Sequence, residues 1–163
     1  MFAFTRTGLL LAALALVLGG CQMSKNGSRF TRAQLAVFTS EGFAETPRGW
    51  EFSINDKLLF ATDESGVLPD QAARIRRVAG RLLQVGIRRA AVEGHADDTG
   101  SAEHNQRLSE RRAATVAQVL VEAGFPTAAV SAVGLGERFP VEDNGTAAGR
   151  RENRRVVILI AAP

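Results

Sequence analysis

An arginine sits where the sequence should be apolar. Between Ser101 and Ala123 the residues follow a helical period, and at about 100° per residue Leu108, Val116, Val119 and Ala123 fall on one face. Asn105 and Arg112 fall on that same face. A buried guanidinium left unpaired costs several kcal/mol, so Arg112 needs an anionic partner. The nearest candidates are Asp97 and Asp98, in the polar run His95-Ala96-Asp97-Asp98-Thr99-Gly100 just before the helix. Two readings stay open from spacing alone. Asp97 and Arg112 could form a structural ion pair that locks loop to helix. Equally, a carboxylate and a guanidinium at the mouth of one pocket suit a zwitterion, its ammonium on Asp97 and its carboxylate held bidentate by Arg112. The first helix amides after Gly100 would add donors for that carboxylate.

Other chemistries fit less well. Asp98-Thr99-Gly100 matches the aspartic-protease triplet, but that mechanism needs two carboxylates sharing a proton from two lobes or subunits. Apolar residues normally precede the triplet, and here His95-Ala96-Asp97 does. Glu93, His95, Asp97, Asp98 and His104 could be drawn as a metal cluster, yet their spacing matches no known site. No nucleophile and base can be named for a hydrolase. The expectation is binding without catalysis, with no metal and no cofactor.

The elements that must hold this pocket read clearly. Phe30-Thr31-Arg32-Ala33-Gln34-Leu35 is a helix start: Thr31 caps, Gln34 returns the bond, Phe30 staples onto Leu35, and Gly42 ends the short helix. Pro47-Arg48-Gly49 is a turn before Trp50-Glu51-Phe52-Ser53-Ile54, which alternates as a half-buried strand, and Lys57 to Phe60 reads as more strand. Leu68-Pro69-Asp70 opens a helix whose apolar face is Ile75, Val78, Ala79, Leu82 and Leu83, stopped by Gly86. Arg89 to Gly94 is a strand. Ser101 caps the long helix, which Gly124 and Pro126 close. Ala129 to Gly134 is a strand, Arg138 to Gly149 a loop, and Arg155 to Ile160 a last apolar strand. The order βαβαβ with a further strand predicts an α+β fold, an α/β sandwich with helices on one side of a mixed sheet.

The N-terminus has its own chemistry. Met1 to Arg6 carries one basic side chain, and Gly8 to Leu18 is free of charge. About 20 apolar residues are needed to span a bilayer, so this run is an export signal rather than a span. Leu18-Gly19-Gly20-Cys21 resembles the box read by bacterial prolipoprotein signal peptidase, which predicts diacylglycerol on Cys21 and cleavage after Gly20. Cys21 is the single cysteine, so the exported domain has no disulfide to staple it. Gln22, not Asp, follows it, and by analogy with enterobacterial sorting this predicts the outer membrane, with the domain facing the periplasm. Without residues 1–20 the chain has 19 basic and 17 acidic side chains, a net of +2, which does not suggest nucleic acid. The expected organisation is a signal peptide over 1–20, a lipid-anchored linker with a short helix over 21–49, and a domain over 50–163.

Several separated motifs carry a family resemblance. They are Glu93-Gly94-His95-Ala96-Asp97-Asp98-Thr99-Gly100-Ser101, Asn105-Gln106-Arg107-Leu108-Ser109-Glu110-Arg111-Arg112-Ala113, Gly134-Leu135-Gly136-Glu137, and Gly149-Arg150-Arg151-Glu152-Asn153-Arg154-Arg155-Val156. Together they resemble the peptidoglycan-binding domain of the OmpA C-terminal (OmpA/Pal) family, over about residues 50–160. The resemblance implies that Asp97 and Arg112 bind diaminopimelate of the peptide stem, with Asn105, Ala96, Gly100 and Arg154 completing the site. The sequence departs from the family pattern at Ala96, where Thr is usual, at His104, where an aromatic is usual, and at Ala61, where Asp often follows the strand phenylalanine. Phe30-Thr31 through Gly42-Phe43, Gly49-Trp50-Glu51-Phe52 and Leu59-Phe60 extend the resemblance to a lipoprotein branch of that family. Members of that branch capture a periplasmic repressor, YfiR, and thereby free an inner-membrane diguanylate cyclase that makes cyclic-di-GMP. For Leu35, Phe38, Phe43 and Trp50 two expectations therefore stand: contact with that partner, or packing on their own domain. The alternative function is a purely structural tether of outer membrane to cell wall.

Overall fold

The computed structural model describes residues 30–55, 59–60 and 66–162; the signal, Cys21 and the segment up to Arg29 lie outside them. Helix α1, Arg32–Glu41, starts with the expected capping box: Gln34 N donates to Thr31 Oγ1 at 3.2 Å and Thr31 N donates to Gln34 Oε1 at 2.8 Å. Gly42 ends it in the left-handed region at φ 85°, which turns the chain into strand β1, Ala44–Thr46. Strand β2, Gly49–Asn55, returns antiparallel to β1. Then follow helix α2, Pro69–Gln84; strand β3, Ala90–Gly94; helix α3, Ala102–Glu122; a 3₁₀ turn, Thr127–Ala129; strand β4, Val130–Gly134; helix α4, Ala147–Asn153; and strand β5, Arg155–Ile160. None of the described helices is long and apolar enough to cross a membrane.

The strands form one open mixed sheet in the order β1-β2-β5-β3-β4. Among the described strands only β3 and β4 run parallel, and α3 is the crossover between them, as a parallel pair requires. The last strand, β5, inserts between β2 and β3 and pairs antiparallel with both. That explains its apolar sequence: Val156 to Ile160 are all buried. The core lies between the sheet and helices α2 and α3, centred on Ile75, Val78, Leu82, Val116, Leu120, Val92 and Ile158. Two glycines set how closely α3 approaches. A Cβ on Gly94 would stand 2.1 Å from Ser109 O, and one on Gly134 would stand 2.4 Å from Glu110 N. Only a bare backbone at the ends of β3 and β4 lets α3 pack that near.

Two local expectations are corrected. Leu59 and Phe60 are buried, but Phe60 makes one isolated antiparallel bridge to Val67 instead of continuing β2. The remainder of that stretch, residues 57 and 58, lies outside the described residues. The loop expected over Arg138–Gly149 runs into helix α4, whose start is capped by Thr146 Oγ1 accepting from Gly149 N at 2.9 Å. The helix is polar and only seven residues long, so it carries no apolar period by which to recognise it.

Candidate functional site

The C-terminal end of β3 delivers the loop that holds Asp97. His95 N donates to Arg155 O at 2.9 Å and Ala96 N donates to Gly136 O at 2.9 Å, so the loop is stitched to β5 on one side and to the β4 exit on the other. The Ala96 amide is thus already engaged within the chain. Asp97 itself is only 5% exposed. Its Oδ1 accepts from Thr99 N at 2.9 Å, and its Oδ2 accepts from Arg154 Nη1. Burial alone would raise the Asp97 carboxyl. The Thr99 amide and the Arg154 guanidinium outweigh it and hold the group below the ordinary carboxylate value. The loop therefore presents an ionised, oriented carboxylate.

Helix α3 supplies the other side. Ser101 Oγ accepts from His104 N at 3.2 Å and Gly100 takes φ 93°, so the helix begins directly beneath the Asp97 loop. Asn105 is buried because it clamps that loop: its Nδ2 donates to Asp97 O at 3.0 Å and to Glu137 Oε2 at 2.7 Å. One turn on, Ser109 is wholly buried, donating to Gln106 O at 2.9 Å and accepting from Gly136 N at 2.9 Å. Arg112 is buried on the apolar face as the helical period requires, 5% exposed, with its Cζ 5.0 Å from the centre of the Phe60 ring.

Arg154 is delivered by α4, the helix the sequence did not announce. Its neighbour Asn153 is fully buried and uses its whole side-chain amide. Oδ1 accepts from Val141 N at 2.8 Å and Glu142 N at 3.0 Å, while Nδ2 donates to Glu142 O at 2.8 Å and Asn144 Oδ1 at 2.7 Å. Asn153 thereby pins the loop over 139–144 to α4 and fixes where Arg154 emerges. Ser109 and Asn153 were missed as site supports. Both stand in the motifs that carried the family resemblance, which was the available signal.

Beside the loop, on the sheet face away from α2 and α3, lies a second charged group. Arg48, from the β1–β2 turn, donates to both oxygens of Glu93, Nη1 to Oε1 at 2.7 Å and Nη2 to Oε2 at 2.9 Å, and its Nε donates to Glu51 Oε1 at 3.0 Å. The Glu93 hydrogen bond is the main reason its guanidinium is held still more firmly protonated. His95 is buried next to this pair, its Nε2 3.9 Å from Glu93 Oε2, and neither ring nitrogen has a hydrogen-bond partner among the described residues. Burial, then the Arg155 and Arg48 charges, push its pKa down to about 4. His95 is a buried, neutral histidine.

Leu35, Phe38, Phe43 and Trp50 gather elsewhere. Phe38 is fully buried, with the rings of Phe30, Phe43 and Trp50 centred 5.0, 5.4 and 5.1 Å away, and Phe43 stacks on Phe52 at 5.2 Å. Leu35 and Trp50 are half-buried against the same core. In this arrangement the four residues pack on their own domain.

Comparison with known proteins agrees with this fold. The sequence matches the profile described as the OmpA family over residues 59–154. It is 44% identical over 156 residues to the outer-membrane lipoprotein YfiB of Pseudomonas aeruginosa, covering 94% of this chain and 93% of that protein. It is 36% identical over 154 residues to the putative lipoprotein YfiB of Escherichia coli K12, covering 94% and 95%. Among solved structures it is similar to the peptidoglycan-associated lipoprotein of Burkholderia pseudomallei, with a TM-score of 0.57, 28% identity, and coverage of 66% of this chain and 87% of that one.

Proposed function

The chain belongs to the OmpA family, and from that premise we propose that it is an outer-membrane lipoprotein that grips peptidoglycan non-covalently through the diaminopimelate of the stem peptide. The observation that carries this is the Asp97 carboxylate, buried yet kept ionised on a loop that is held by Asn105 of α3, the helix that also carries the buried Arg112 two turns further on. A carboxylate has about four acceptor positions, and Thr99, through its amide and its side chain, and Arg154 take part of them. The free amino acid end of diaminopimelate is a zwitterion. Its ammonium takes Asp97, and its carboxylate takes the guanidinium of Arg112 and the amides after Gly100. Arg154 orients Asp97, and Asn105 sets the height of the loop. The names of the relatives support the envelope setting, and the Burkholderia protein's name supports the wall as ligand. Cys21 is the lipid attachment in this reading, which also makes residues 22–29 the tether.

A signalling role goes further. The likeness to the YfiB lipoproteins covers 94% of the chain, well beyond the 59–154 stretch the family profile matches, and so takes in α1 and β1. We read this as support for capture of the periplasmic repressor YfiR and, through it, release of a diguanylate cyclase. A purely structural tether is the other reading, and α1 distinguishes them: a tether tolerates replacement of its exposed residues, whereas a signalling protein loses YfiR.

Co-sedimentation of the mature protein with purified peptidoglycan tests the site. Asp97→Ala or Arg112→Ala should lower retention by roughly 100-fold, as expected when one partner of a buried charged contact is removed. Full retention by both variants, with unchanged thermal midpoints, would refute the zwitterion pocket.

A further inference from the structure

The ends of β3 and β5 remote from Asp97 open into a groove of about 970 Å³. Phe30, Ile87, Val130 and Leu159 are among its apolar walls, Arg88 and Arg89 line it, and among the described residues no Asp or Glu does. Both arginines are exposed, and among the described residues neither meets an acidic partner. Five arginines elsewhere, Arg48, Arg76, Arg81, Arg107 and Arg154, do pair with Glu or Asp. An apolar groove bearing two uncompensated cations suits an amphiphilic anion.

Chain geometry says which one. Phe30 lines the groove and stands nine residues after Cys21, a reach of about 30 Å at most. The strands place the Asp97 loop at the opposite end: β5 begins at Arg155, next to Arg154, and ends at Ile160 in the groove wall. The lipid-tethered end and the groove therefore share one pole, and the wall site occupies the other. We propose that this groove seats an anionic phospholipid of the membrane to which Cys21 tethers the chain, acyl carbons against Phe30 and Leu159, phosphate on Arg88 and Arg89. The proposal rests on the lipoprotein reading. Seating the lipid presses the domain's anchor pole to the bilayer and turns Asp97 toward the wall.

The mature chain carrying Cys21→Ser, which removes the acyl anchor and leaves the groove intact, is sedimented with vesicles of phosphatidylglycerol and of phosphatidylcholine. Binding to phosphatidylglycerol alone, abolished in 0.5 M salt, is expected. The added pair Arg88→Gln and Arg89→Gln should reduce that binding about thirtyfold, leaving the thermal midpoint and peptidoglycan retention unchanged. Asp97→Ala should do the converse, losing the wall and keeping the vesicles. Equal binding to both lipids, no binding, or binding unaffected by the arginine pair would overturn the proposal. So would a salt-stable dimer seen by sedimentation velocity that the arginine pair dissolves, because the groove would then hold a second copy. Failure of the lipoprotein reading shows separately, as an N-terminal peptide of the full-length expressed protein whose mass lacks acyl chains.

Discussion

The Asp97 loop and the α1 segment are both held to the same sheet, but by different forces. Around Asp97 nearly every contact is directional: Thr99, Arg154, Asn105, Ser109 and Asn153 fix backbone and side chain at hydrogen-bond distance. Around α1 the centre is a cluster of rings about Phe38, and the polar ties lie at its edge: Gln34 Nε2 to Val85 O at 3.1 Å, the exposed Arg81 to Glu41 at 3.5 Å and to Ser40 Oγ at 3.4 Å, and the Arg48–Glu93 pair. Hydrogen-bonded loops have one good geometry, because displacement leaves buried polar groups unpaired. Apolar contact is non-directional, so a segment held that way can re-dock or exchange partners. A binding pocket needs the first kind of support, and a segment that exchanges a protein partner needs the second.

Substitutions can break this contrast in order of size. Phe38→Ala empties the centre of the ring cluster and should cost about 3–5 kcal/mol of stability. Denaturant unfolding measures it, while peptidoglycan retention per folded molecule stays near that of the parent. Loss of wall binding in the folded fraction would show that the two regions are not independent.

Acid should act on the boundary between them. His95 is neutral when folded, with a pKa near 4 instead of 6.5, so the unfolded chain binds its proton first as pH falls. Stability is then lost between about pH 6.5 and 4, by up to roughly 3 kcal/mol, and the loss levels off below. Asp97, whose folded pKa is depressed, adds its own loss only at lower pH, as its carboxylate is protonated. Thermal midpoints across pH 4 to 7 check this, and His95→Asn should flatten the upper part of the curve. An unchanged slope would place the effect on another group.

Asn153→Ala should cost about 2 kcal/mol, because it orphans the amides of Val141 and Glu142. Unlike Phe38→Ala it should also weaken wall binding, through Arg154. If binding is untouched, Arg154 does not depend on α4 for its position. Smallest of all, Ser101→Ala removes one cap and should cost about 1 kcal/mol, read as a lower midpoint with retention nearly intact.

Most of the fold was legible in the chain, because its signals are local. Thr31 and Gln34 announced α1, the apolar periods announced α2 and α3, and alternation announced β2. The anomaly of Arg112 was legible too, since burial of a helix face follows from spacing alone. What stayed hidden was short or polar: α4 has no apolar stripe, and Phe60 enters an isolated bridge that no pattern specifies. Ser109 looked like any helical serine, though it is the hydroxyl that ties α3 to Gly136.

By itself the sequence determined the elements and the apolar faces, and it carries the proposals of an export signal and of Asp97 and Arg112 as the binding pair, since each rests on residues within a few turns of one another. Only the tertiary structure decided that Asp97 takes Arg154, 57 residues away, and that Phe38 is a core ring. The reason is the register of β5. Its insertion between β2 and β3 brings the end of α4 to the Asp97 loop, and no local spacing encodes which strand a late segment will join.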